Sequence, residues 1–134
     1  MLGDLIYEGQ GRITSKRVLD INGPKIEYSN LGNGTFKENI EVTEMWTARS
    51  ITLSDNKIYG EGSGIYVAKD GNEQIKAKVY GVGSVSPGKI RYVSGLHFIS
   101  SATGELSFLN NLFGVNEYEQ NDSGNYSHKI WEWK

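Results

Sequence analysis

Almost nowhere along these 134 residues do apolar side chains recur at helical spacing; segments alternating apolar with polar are instead separated by clusters of Gly, Asn and Asp. Alternation with period two puts one set of side chains on each face of an extended strand, so the chain reads as nearly all β. The expected strands are about 4–19, 25–30, 35–47, 50–54, 57–69, 73–85, 89–101, 112–120 and 125–133. Turn chemistry links them at Asn22-Gly23-Pro24, Gly32-Asn33-Gly34, Asp55-Asn56, Lys69-Asp70-Gly71-Asn72, Ser86-Pro87-Gly88 and Asn121-Asp122-Ser123-Gly124. Links this short make neighbouring strands antiparallel. Only Thr103 to Asn111, where Leu106, Phe108 and Leu109 lie close together, has helical character, so helix is expected only around 106–111. Eight or nine strands in a meander leave long unpaired edges unless the sheet closes on itself. A two-sheet sandwich competes, but it favours evenly short strands, and several spans here reach ten residues or more. The expectation is a closed antiparallel meander β-barrel of eight or nine strands, a single domain over 1–134.

Composition removes whole classes of function. A chain of 14.9 kDa has enough residues for one core. Its formal charge of −2 offers no positive excess to draw it onto nucleic acid or acidic lipid. With no Cys, disulfides, thiolate metal sites and Cys nucleophiles are all excluded, and with only His97 and His128 a multi-histidine zinc site is excluded as well. No metal and no cofactor is expected. The start, Met1 to Gly9, lacks the basic and apolar regions of a secretory signal, and no stretch approaches the roughly 18 apolar residues of a membrane-spanning helix. The expected setting is therefore the cytoplasm, with neither nucleic acid nor membrane as partner.

Gly-x-Gly runs occur at Gly9/Gly11, Gly60/Gly62/Gly64 and Gly81/Gly83, inside strands and on one face of each. A phosphate-cradling loop needs a helix after its glycines, and none follows here. Glycine on a concave face instead allows the sheet to coil tightly, so these runs read as closure devices and mark the inner wall. In 73–85 that face also carries Ile75, Ala77 and Val79, while Gln74, Lys76, Lys78 and Tyr80 lie opposite. In the first strand Leu5, Tyr7, Ile13 and Arg17 share the glycine parity. In 35–47 the apolar face is Phe36, Ile40, Val42 and Trp46, with Glu38 and Glu44 among them. Strand 89–101 is apolar on both faces, which suggests packing against another subunit, in a dimer or larger homo-oligomer, or against Thr103 to Asn111.

Charged residues on inward faces, namely Arg17, Glu38, Glu44 and with weaker parity Glu117, are the candidates for a polar centre, since a buried charge must be paired or neutralised. The plainer alternative places Arg17 and Glu38 at strand ends, reaching solvent, and a bulge would flip the parity of a long strand. Tyr7, Trp46 and Tyr66 complete the candidate ligand-binding set. His97 and His128 have the chemistry for proton transfer, but lone histidines in strands are usually ordinary. Trp46, Trp131 and Trp133 suit either stacking on a planar ligand or plain packing. Gly62-Ser63-Gly64 lies within a strand, so no nucleophile elbow is present.

Several runs resemble an uncharacterised family of small microbial β-barrel proteins: Gly60-Glu61-Gly62-Ser63-Gly64, Lys69-Asp70-Gly71, the stretch from Gly104 to Glu119 and Trp131-Glu132-Trp133-Lys134. The resemblance covers about 57–134 well and the first third weakly. More distantly, the chain is similar to the calycin-like and allene-oxide-cyclase-like barrels, whose members bind small apolar molecules or cyclise them inside the barrel. The resemblance implies a barrel holding a small apolar or amphipathic ligand; the alternatives are an allene-oxide-cyclase-like cyclase or isomerase, or a solid-cored subunit with no ligand. An interior void separates the first two from the third, and a carboxylate standing in that void favours the cyclase.

Overall fold

The computed structural model describes residues 1–134, with the side chain of Glu38 excepted. Eight strands close into one antiparallel barrel in simple up-and-down order: β1 (Leu2–Asp20), β2 (Lys25–Phe36), β3 (Ile40–Ser54), β4 (Lys57–Ala68), β5 (Gln74–Ser86), β6 (Lys89–Phe98), β7 (Phe113–Asn121) and β8 (Asn125–Trp133). β1 pairs with both β2 and β8, so the sheet has no free edge. Two 3-10 turns, Lys37–Asn39 and Glu105–Leu109, are the helical elements among the described residues. No helix is long and apolar enough to cross a membrane.

Two expected breaks are absent. Gly32-Asn33-Gly34, taken as a turn, lies in the middle of β2, where Gly32 pairs with Gly11 and Gly34 with Gly9. The reversal comes later, at the Lys37–Asn39 turn, which Asn39 closes at φ 60°. Phe36 therefore ends β2 and does not open β3, and Glu38 belongs to the turn. Residues 40–54 form one strand, so the barrel has eight strands and not nine.

Parity reads correctly along β5, where Ile75 and Ala77 are buried and Lys76 and Lys78 exposed. In β1 it fails twice. An irregularity between Leu5 and Tyr7 turns Leu5 outward and buries Ile6 beside Tyr7. A second, between Ile13 and Ser15, precedes the stretch in which β1 outruns the barrel. Arg17 lies there, its side chain 70% exposed and paired with Glu27 at 3.0 Å on the outside, which corrects its inward assignment. Glu117 is likewise exposed, while its neighbours Asn116 and Tyr118 face inward. Val93 on the outer face of β6 and Ile99 just past its end remain exposed in this chain.

The barrel is filled at one end only. Phe36, Val42, Tyr66, Ile75, Phe98 and Ile130 form a core, and the Glu105–Leu109 turn seals it by inserting Leu106 and Leu109, both fully buried. Each such side chain contributes about 1.5–3 kcal/mol of burial. Glu73 anchors the seal: its carboxylate accepts the backbone N–H groups of Thr103, Gly104 and Leu106 at 3.0, 2.6 and 2.9 Å. Those bonds, that to Leu106 foremost, hold the Glu73 carboxyl below its ordinary range. A depressed carboxyl contributes stability that is present above its unfolded-state pKa, about 4.3, and is lost as pH falls through the folded value. Glu73→Gln is expected to lose about 1 kcal/mol at neutral pH. The variant's denaturation midpoint should also fall less steeply than the parent's between pH 5 and pH 3, about the range in which carboxyls protonate. Identical acid limbs would refute this anchoring role.

Candidate functional site

The other end, where the β1–β2, β3–β4, β5–β6 and β7–β8 turns lie, is open. Beneath it is a cavity of about 90 Å³. That is several times the roughly 10–15 Å³ needed for one water and smaller than the roughly 150 Å³ of a cavity known to enclose benzene. Its walls are aromatic: Tyr28 from β2, Trp46 from β3, Tyr92 from β6, Tyr118 from β7 and Tyr126 from β8. Tyr118 and Tyr126 stack at 5.3 Å with 20° between their planes, and Tyr92 meets Tyr118 edge-on at 5.9 Å.

Glycine makes room for these rings. A Cβ at Gly64 would collide with the Trp46 indole, one at Gly60 with the Tyr92 ring, and one at Gly32 with the Tyr126 hydroxyl. The inner-face glycines are thus seats for aromatic side chains as well as points of tight coiling.

A hydrogen-bonded cluster forms the cavity floor. The Tyr7 hydroxyl donates to Glu44 Oε1 at 2.5 Å, and His128 Nε2 donates to both Glu44 oxygens at 2.9 Å. His128 Nδ1 lies 2.8 Å from the side-chain amide of Asn116. The His128 and Glu44 side chains are 4% and 0% exposed. Four strands, β1, β3, β7 and β8, each supply one member, so the cluster exists only in the closed barrel. Burial, reinforced by the charge of Glu44, raises the phenols of Tyr7, Tyr66 and Tyr126 well above their usual range. All three stay protonated and able to donate.

Of the residues singled out in the sequence, Tyr7, Glu44, Trp46 and Tyr66 come together inside. Glu44 and Trp46 line the cavity, whereas Tyr7 and Tyr66 lie in the buried layer with the core. Arg17 lies outside on the exposed ribbon, and the Glu38 side chain is outside the described residues. Sequence reading passed over His128 as an ordinary strand histidine and missed Asn30, Asn116 and Tyr126. The signal was present, because the rule that glycine points inward, applied at Gly114 and Gly32, puts Asn116 and Asn30 on the inner face. Arg49 lines the mouth, with its Nε 3.5 Å from Glu61. No group of three or more metal-ligating side chains occurs among the described residues.

The whole barrel superposes on solved structures. A conserved protein of unknown function from Rhodopseudomonas palustris matches with a TM-score of 0.78 at 14% identity, over 98% of this chain and 97% of that one. A protein of unknown function from Clostridium acetobutylicum matches with a TM-score of 0.80 at 13% identity, over 98% of both chains. At such identities the likeness concerns the fold. No family model and no curated protein matches the sequence.

Proposed function

We propose that the open half of the barrel binds a small apolar or amphipathic molecule whose apolar end enters the cavity, and that the relation to calycin-like barrels belongs to the same proposal. The observation that carries this reading is the asymmetry of filling. One end is packed and sealed by Leu106 and Leu109, while the other leaves about 90 Å³ lined by aromatic side chains. A barrel serving only as a solid subunit needs no such void. The cyclase alternative is supported less well: Glu44 stands inside the barrel, yet both its oxygens are already engaged by Tyr7 and His128, and both His128 nitrogens are engaged. No basic atom of the floor is therefore left facing a ligand, as proton transfer requires.

Trp46 gives the test a built-in signal, since it lines the cavity while Trp131 and Trp133 do not. Ligand binding is expected to change Trp46 fluorescence, and native mass spectrometry of the purified protein should detect a bound small molecule. Ala48→Phe, which fills the void from β3, is expected to abolish both responses while the protein stays folded. Unchanged binding in that variant would place the ligand elsewhere and defeat the proposal.

A further inference from the structure

We infer that the rim of the open end is a docking surface for an anionic lipid bilayer; this goes beyond the binding reading above and does not depend on it. Three of the four hairpin ends there carry exposed aliphatic side chains. Val18 and Ile21 on the β1–β2 ribbon are 59% and 85% exposed, Leu53 at the end of β3 is 61% exposed, and Val85 at the end of β5 is exposed as well. None of the four belongs to the core. The three ends are tied side by side, because the Thr52 N–H donates to the Pro24 carbonyl at 3.3 Å and the Val85 N–H to the Asn56 carbonyl at 3.0 Å. The aliphatic tips therefore share one rim, around the mouth of the cavity.

Charge is divided between this rim and the rest of the barrel. Over residues 12–31, Arg12, Lys16, Arg17 and Lys25 stand against Asp20 and Glu27. Over 81–94, Lys89 and Arg91 have no carboxylate in their own hairpin, and over 48–62 Arg49 and Lys57 are balanced by Asp55 and Glu61. Glu119 and Asp122, from 119–127, bring the rim to eight cations against six carboxylates, a balance of +2. The other six cations of the chain face ten carboxylates, a balance of −4, so the whole-chain charge of −2 conceals the division. On the ribbon Arg17 is paired with Glu27, whereas Arg12, Lys16 and Lys25 enter no ion pair among the described residues.

Cations near an anionic bilayer are drawn to it, and aliphatic side chains gain by leaving water for its acyl region. Other partners use only part of this surface. A nucleic acid engages the cations but leaves the aliphatic tips in water. A second copy set mouth to mouth opposes two positive rims, and one set mouth to sealed end makes a head-to-tail contact that runs on as a filament unless it closes into a ring. A bilayer is flat enough to meet all three tips together, and the cavity then opens onto it.

Co-sedimentation of the whole protein with vesicles tests this, using phosphatidylcholine alone and an equal mixture of phosphatidylcholine and phosphatidylglycerol. Binding to the mixed vesicles is expected to be at least about tenfold tighter and to weaken as salt is raised. Ile21→Ser/Leu53→Ser and Lys16→Glu/Lys57→Glu should each weaken it about tenfold or more, while Leu2→Ser/Trp133→Ser at the sealed end and Ala48→Phe inside the cavity should bind as the parent does. The four rim positions are exposed, and the charge pair decides if the aliphatic pair does not fold. No binding to mixed vesicles at low salt, or equal losses from the rim and the sealed end, would overturn the inference and leave the cavity reading standing. Loss of vesicle binding in Ala48→Phe would overturn it too, by placing the lipid inside the barrel. Light scattering that gives a mass well above 14.9 kDa for the parent and 14.9 kDa for Ile21→Ser/Leu53→Ser would assign the rim to self-association and overturn the lipid assignment.

Discussion

Glu44→Ala is expected to cost about 3–5 kcal/mol in a denaturant titration, because it strips a wholly buried cluster of its acceptor and leaves the Tyr7 hydroxyl and His128 Nε2 without partners. Against a total stability of about 5–15 kcal/mol for a domain of ordinary size, that is a large fraction. Glu44→Gln keeps an acceptor oxygen and the side-chain volume, so its loss should be smaller, about 1–3 kcal/mol. The exposed pair of Arg17 and Glu27 provides the contrast: Arg17→Met should stay within about 0.5 kcal/mol of the parent. If Glu44→Ala fell within about 1 kcal/mol of the parent, an exposed-pair value, the floor of the cavity would not be held by this cluster.

Gly34→Ala is the second large effect. A single added methyl at Gly34 would run into the Tyr7 hydroxyl on one side and the Glu8 carbonyl oxygen on the other. The carbonyl belongs to a paired strand and the hydroxyl is held on Glu44, so neither moves without breaking something else. Overpacking of a well-filled interior costs about 1–3 kcal/mol, and the displaced Tyr7 bond adds about 1 kcal/mol to that. Tyr7→Phe removes the nearest obstructing atom and with it the bond that the methyl displaces, while the ring carbon behind it and the Glu8 carbonyl still crowd the methyl. The double variant Tyr7→Phe/Gly34→Ala should therefore lose about 1 kcal/mol less than the two single losses added together, the lost bond being counted once. Strictly additive losses would show that the methyl leaves the bond between Tyr7 and Glu44 in place.

The fold was legible because closure follows from strand number, strand length and short turns, all local properties of the chain. The inner wall was legible where one strand kept its register throughout, as β5 did from Ile75 to Gly83. It was lost where the register slips, because a slip depends on the neighbouring strands and leaves no mark in the chain that carries it; Leu5 and Arg17 were misplaced for this reason. Gly32-Asn33-Gly34 misled in another way. Glycine beside asparagine is turn chemistry when read locally, but here the glycines are flat places beneath Tyr7 and Tyr126, rings that come from β1 and β8. Glu44 was found because a carboxylate among apolar neighbours stands out, whereas His128 and Asn116 gain meaning only when β7 and β8 come round to face β3.

Because one end of the barrel is packed and the other hollow, the two halves of the wall are open to change to different degrees. Positions near Leu106 and Phe98 hold the chain folded, so nearly every exchange there is exposed to selection through stability. Positions around the mouth, such as Tyr28, Ile90 and Gln120, border the void and contribute little to the seal. Substitutions there can therefore reshape the void, one side chain at a time, on a scaffold whose folding is secured elsewhere. That latitude ends at Tyr7, Glu44 and His128, which lie on the boundary, where a change in the void becomes a change of fold.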